Sequence, residues 1–130
     1  MSRDSFIRKV LWATVFYNLL GASAFAFPAS LGRLAGLPIP VAPIYSILLV
    51  FFVLLFGAAY AWLAMQPEID RPMVAMAAAG KAGVFVVAVV LWLIGQGPAL
   101  FIPGATGDLI FAAIFTRWLL WGSARRPPQS

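Results

Sequence analysis

Lys81 stands in AMAAAGKAGVFVVAVVLWL, residues 75–93, a stretch otherwise suited to the interior of a membrane. Asp108 holds a similar place in the last apolar segment, within GDLIFAAIF. One charge at the centre of a spanning helix costs about 2.5 to 3.5 kcal/mol on insertion scales, so such residues read first as functional sites or as pairs. Asn18 on the first apolar segment and Tyr60 on the second add hydrogen-bonding groups. With a helical rise of about 1.5 Å per residue, Lys81 and Asn18 lie about 12 Å from the boundary nearest the chain ends, Tyr60 roughly 8 Å and Asp108 about 20 Å. A lysine leaning toward the midplane spans most of the resulting difference of about 8 Å between Lys81 and Asp108.

Two readings follow. In the first, Lys81 and Asp108 form a buried ion pair, bridged by Asn18 or Tyr60, that fixes helix register. In the second, these four residues line a polar pocket in the inner half of the membrane, for a headgroup, a quinone-like ring or a proton. Asp108 has a further structural reading. TGDLIF could set it in the first turn of a shortened fourth helix, where a carboxylate meets the helix dipole favourably.

The elements that must position these residues are four apolar segments, each near the roughly 20 residues needed to cross a bilayer core. They run from about 6 to 27, 44 to 65, 73 to 94 and about 99 to 121, in one membrane domain covering 1–130, with 122–130 as a short basic cytoplasmic tail. PASLGRLAGLPIPVAP, residues 28–43, is too rich in proline and glycine to continue a helix. QPEIDRP, residues 66–72, is a short polar turn whose Glu68, Asp70 and Arg71 read as solvated. GQGPALFIPGATG, residues 95–107, carries no charge, and part of it could dip into the membrane as non-helical backbone where protein or a wet cavity meets its amides.

Composition agrees. Of 130 residues, 63% are hydrophobic and 10% charged, more apolar surface than a soluble domain of this size can hide. The net charge of +5 comes from basic residues flanking the apolar runs, which points to membrane anchoring and away from nucleic acid. With a cytoplasmic N-terminus, Arg3, Arg8, Lys9, Arg71, Arg125 and Arg126 lie inside and Arg33 alone outside. That bias sets both termini in the cytoplasm. RKVLWATVFYNLLGASAFA also resembles a secretory signal, but Tyr17 and Asn18 interrupt its apolar part and favour a retained helix.

Small residues mark the packing faces. Ala75, Ala79 and Gly83 form a ladder that would admit a close helix, and Thr14, Asn18, Gly21 and Ala22 form a small and polar stripe facing the other helices. Trp12, Trp62, Trp92, Trp118 and Trp121 read as interfacial anchors, with Arg117 reaching to the surface beside the last two.

Several chemistries fail on residue type. Neither Cys nor His is present, which removes disulfides, thiol redox chemistry, imidazole catalysis and the usual zinc and haem sites; no metal or cofactor is called for. Intramembrane aspartyl proteolysis needs two facing carboxylates, and only Asp108 is deep. A Ser–Lys dyad fails because Ser23 lies about 7 to 8 Å further out than Lys81 and Ser46 lies near the outer face. Small multidrug transporters rely on an acid in the first helix, where this chain has Asn18.

YNLLGA in the first segment, GAAYAWLA in the second, GKAG in the third and GDLIFAAIF in the fourth resemble, in layout, small bacterial four-helix membrane proteins of the DoxX-like group. The resemblance implies an antiparallel bundle in the bacterial inner membrane, and some members belong to quinone-linked or thiol-linked redox systems. It carries over no catalytic residue.

The expected fold is all-α, an antiparallel bundle of four transmembrane helices with both ends cytoplasmic. The expected role is a non-enzymatic accessory or structural subunit, in contact with membrane lipids and with other membrane subunits or itself. The alternative is a small bundle holding a quinone or lipid at Lys81, Asp108, Asn18 and Tyr60, linked to redox or transport.

Overall fold

Ser2 opens the first helix by accepting a hydrogen bond from the Ser5 amide at 3.1 Å, which satisfies one of the first-turn amides that lack a helical partner. The computed structural model describes residues 2–38 and 41–123, so most of the expected basic tail, with Arg125 and Arg126, lies outside the described residues. α1 runs over Arg3–Ala26, α2 over Pro43–Met65, α3 over Arg71–Leu93 and α4 over Ile102–Ser123. A π-helical turn, Pro28–Gly32, follows α1, and a 3-10 turn, Ala99–Phe101, leads into α4. All these elements are helical; the described residues contain no strand.

Local sequence explains the boundaries. Pro43 starts α2 where its missing N–H is not needed. Asp70, exposed as expected of a solvated turn, also caps α3, its carboxylate accepting from the Met73 amide at 3.0 Å. Gly95 ends α3 at φ 75°, its amide donating to Trp92 while the Gln96 amide donates to Leu91, a Schellman closure.

The expected irregular stretch 95–107 is shorter than its composition implied. Pro103 falls in the first turn of α4, where it removes no helical bond, and Gly104 and Gly107 are tolerated inside the helix. Asp108 therefore lies well past the first turn, and its reading as an N-terminal group of a shortened helix is overturned.

The closest helix pairs are α1 with α2 and α3 with α4. Arginines tie each pair together. The Arg8 guanidinium on α1 donates to the carbonyls of Ala64, Gln66 and Pro67, at 2.7, 2.5 and 2.8 Å, at the end of α2. Arg71 at the start of α3 donates to the Leu119 carbonyl near the end of α4. Terminal carbonyls without helical partners, at the negative end of a dipole, favour such cations, and both contacts make the paired helices antiparallel.

One core joins all four helices, and it sits at the end that holds Ser2, Met65, Arg71 and Ser123. Ile7 and Leu11, Leu63, Val74 and Phe115 are its fully buried centre. Trp118 belongs to it too, contrary to its expected anchoring role: it is buried, with the Arg3 and Arg71 guanidinia 4.8 and 5.4 Å from its ring centre. Trp12, Trp62, Trp92 and Trp121 do face outward.

On α1 the small and polar stripe turns inward, with Thr14, Asn18 and Ala22 buried. On α3 the ladder expected to receive a helix does not: Ala75 and Ala79 are exposed, and nothing lies within 4 Å of a Cβ added at Gly83. The packed face is Val74, Ala77, Ala78, Lys81 and Ala88, because the bulk of Val74 and the ion pair of Lys81 set the rotation of the helix.

Three helices are long and apolar enough to cross a membrane: Pro43–Met65, Arg71–Leu93 and the continuous stretch Ala99–Gly122. α1 is as long but less apolar, since Arg3, Asp4, Arg8 and Lys9 charge its first turns and Tyr17 and Asn18 interrupt its middle.

Candidate ligand site at Lys81 and Asp108

Lys81 reaches the interior because it shares the spacing of Val74, Ala77, Ala78 and Ala88 on the packed face of α3. Its side chain is 6% exposed and that of Asp108 15%. Nζ stands 2.6 Å from Asp108 Oδ1 and donates to Asn18 Oδ1 at 3.1 Å. The amide nitrogen of Asn18 donates in turn to the Val53 carbonyl at 3.0 Å. A single chain of polar contacts therefore crosses α2, α1, α3 and α4. The roles of the two Asn18 atoms are fixed, since only its oxygen can accept from an ammonium and only its nitrogen can donate to a carbonyl.

Aromatic faces complete the surroundings of the ammonium. The ring centres of Tyr17, Tyr60 and Phe111 lie 5.5, 5.5 and 5.6 Å from Nζ, within reach of cation–π attraction, which gains strength away from water. Tyr17 is held in place by donating its hydroxyl to the Gly104 carbonyl and by edge packing on Phe111. Gly107 makes that placement possible: a Cβ there would lie 2.7 Å from the Tyr17 Cζ.

The polar cluster forms part of the lining of a cavity of about 400 Å³, within the usual size range of small-molecule sites. Lys81, Asp108, Asn18 and Tyr60 all border it, so the four residues expected to cluster are brought together. Asn18 provides the expected bridge. Tyr60 does not: it offers its ring, and its hydroxyl makes no hydrogen bond to a described residue. The walls are apolar, with Val53 and Phe56 from α2 and Val84 from α3 among them. At the end away from the core, Ala35, Leu37 and Phe101 close over the cavity. Gly36, at φ 82°, allows that closure, because its backbone lies so near the 3-10 turn that an added Cβ would be 2.5 Å from the Leu100 carbonyl carbon.

Comparison with family models, with curated proteins and with solved structures finds no match. Function must therefore be read from this geometry. Among the described residues, no group of three or more metal-ligating side chains comes together. The hydroxyls of Thr14 and Ser23 donate to backbone carbonyls on their own helix. What the arrangement can do is hold the polar end of an apolar molecule.

Sequence reasoning missed Tyr17, Phe111 and Gly107. Tyr17 read only as an interruption of an apolar run. The available signal was the pair of glycines at 104 and 107 beside Asp108, which leaves room for a ring on that side of α4.

Proposed function

We propose that this chain is a four-span protein of the bacterial inner membrane, with both ends cytoplasmic, that binds a lipid-soluble molecule, a quinone or a lipid, between its helices. The observation that carries the reading is the ion-paired lysine bordering an apolar cavity, with uncommitted polar atoms beside it. An ion pair that served only to lock helices would be sealed by side chains, since every polar atom left unmet in a low-dielectric interior costs stability.

The orientation rests on the distribution of charge. Arg3, Arg8, Lys9 and Arg71 gather at the core end, and Arg33 belongs to the opposite loop. α1 counts as the fourth span because its uncharged part, from Val10 onward, lies beside the apolar length of α2. A membrane-impermeant thiol reagent applied to intact cells should label a cysteine placed at Ser30 and spare one placed at Ser2 or Glu68. The reverse pattern would invert the topology, and labelling of both Ser2 and Ser30 positions would remove the first span.

A second reading, a non-enzymatic accessory subunit that packs against another membrane protein or itself, draws on one observation. The small residues Ala75 and Ala79 are turned outward, where another helix could approach closely. Gentle purification from native membranes followed by mass spectrometry separates the two. The ligand reading expects one small molecule per chain without a stoichiometric protein partner; a stoichiometric partner with no small molecule supports the accessory role and overturns it.

A further inference from the structure

The border of the cavity has a specific pattern of unmet hydrogen-bonding capacity. An ammonium group donates three times, and Lys81 has two of its bonds committed, to Asp108 Oδ1 and Asn18 Oδ1. Asp108 accepts through Oδ1 alone, so Oδ2 remains an unused acceptor among the described residues. The Tyr60 hydroxyl is an unused donor on the same border. Donors and an acceptor thus stand together, while the charges of Lys81 and Asp108 cancel.

Access to the cavity is constrained as well. The core around Ile7, Leu63 and Phe115 fills the end nearer the chain termini, and the contact of Gly36 with Leu100 and Phe101 covers the other. The lining that remains exposed is on the sides of the helices: Leu20 on α1, Leu49 and Phe56 on α2, Gly80 and Val84 on α3, and Gly104 early in α4. No ionisable residue stands among them. The cavity therefore opens sideways, between the apolar outer faces of the helices.

Resting on the ligand reading above, we infer that the site takes a neutral single-chain amphiphile whose polar end both donates and accepts hydrogen bonds, admitted sideways from the lipid. A charged end would unbalance a neutral pair where the dielectric is low, and it would have to leave its own hydration behind. An end that only accepts, as the carbonyls of an oxidised quinone do, would leave Asp108 Oδ2 unmet, which narrows the ligand reading to a lipid; a site built with buried polar atoms discriminates strongly against a ligand that fails to meet them. Primary carboxamides and alcohols satisfy both atoms.

The test is equilibrium binding to the full chain in lipid nanodiscs, against empty discs, with four C12 probes: dodecanamide, dodecyl methyl ether, dodecyltrimethylammonium and dodecyl sulfate. Dodecanamide should saturate at one per chain and bind at least about tenfold more tightly than the other three, a difference of about 1.4 kcal/mol. Gly80→Leu, where nothing lies within 4 Å of an added Cβ, should slow dodecanamide uptake several-fold without lowering the melting temperature. Equal affinity for all four probes, or preference for a charged one, overturns the ligand class and leaves the cavity reading standing. Absence of saturable binding by any probe to folded protein overturns the ligand class, and a wild-type chain that also co-purifies with no small molecule overturns the ligand reading itself. Unchanged uptake in Gly80→Leu overturns the sideways route.

Discussion

Lys81→Met is expected to lower the unfolding free energy by about 3 to 5 kcal/mol, the usual cost of removing one member of a buried ion pair. The loss comes less from the vanished attraction than from what is left behind. Asp108, its side chain only 15% exposed, would be left without its 2.6 Å partner, and the Asn18 oxygen would lose its donor. Asp108→Leu should be comparably costly, because it strands the ammonium. Combining the two leaves no charge stranded and fills similar volume with apolar atoms, so the double variant should regain most of the loss. Denaturation of the three variants in detergent, analysed as a double-mutant cycle, measures the coupling. Simple additivity of the two losses would show that Lys81 and Asp108 do not act on each other in the folded protein.

The next largest effect is expected at Gly36. Its φ of 82° is a conformation L side chains avoid at about 1 to 2 kcal/mol, and a Cβ there would also lie 2.6 Å from the Phe101 nitrogen as well as against Leu100. Neither neighbour is a flexible side-chain tip that could turn aside; both are backbone. Gly36→Ala should therefore destabilise by more than about 2 kcal/mol, since a steric cost adds to the dihedral one, and it should loosen the cover over the cavity. Gly95 provides the control: it has φ 75° but nothing within 4 Å of an added Cβ, so Gly95→Ala should show the dihedral cost alone. Melting temperatures compared side by side decide the matter, and equal losses at both glycines would mean that the Gly36 contact with the 3-10 turn does not hold in solution.

The positions of the helices were legible in the chain because apolar length, proline and glycine act locally. The 23-residue α2 and α3 begin and end within two residues of their apolar runs. The pairing of Lys81 with Asp108 was legible for a different reason, the high cost of an isolated charge in an apolar setting. Helix rotation was harder to read. Ala75, Ala79 and Gly83 have the spacing of a contact face, yet the face actually used is set by Val74, Lys81 and the partners they meet, which lie on other helices. Arg71 and Trp118 show the same limit. Each has the composition of a surface residue, and their packing against each other depends on the α4 terminus arriving beside the start of α3. The polar border of the cavity was legible in Lys81, Asp108, Asn18 and Tyr60, but its apolar walls and volume were not, because empty space is left by the shapes of residues distant in the chain.

The central claim is that the neutral pair of Lys81 and Asp108 serves a bound molecule as well as the fold. The most direct measurement is mass spectrometry of the small molecules that co-purify with the wild-type chain and with the folded double variant Lys81→Met, Asp108→Leu, in parallel from native membranes. The expected result is one lipid-soluble compound per wild-type chain, lost from the double variant although that variant melts cooperatively. A double variant that retains the compound as fully as wild type, or a wild-type chain that carries none, would contradict the claim and leave the ion pair as architecture alone.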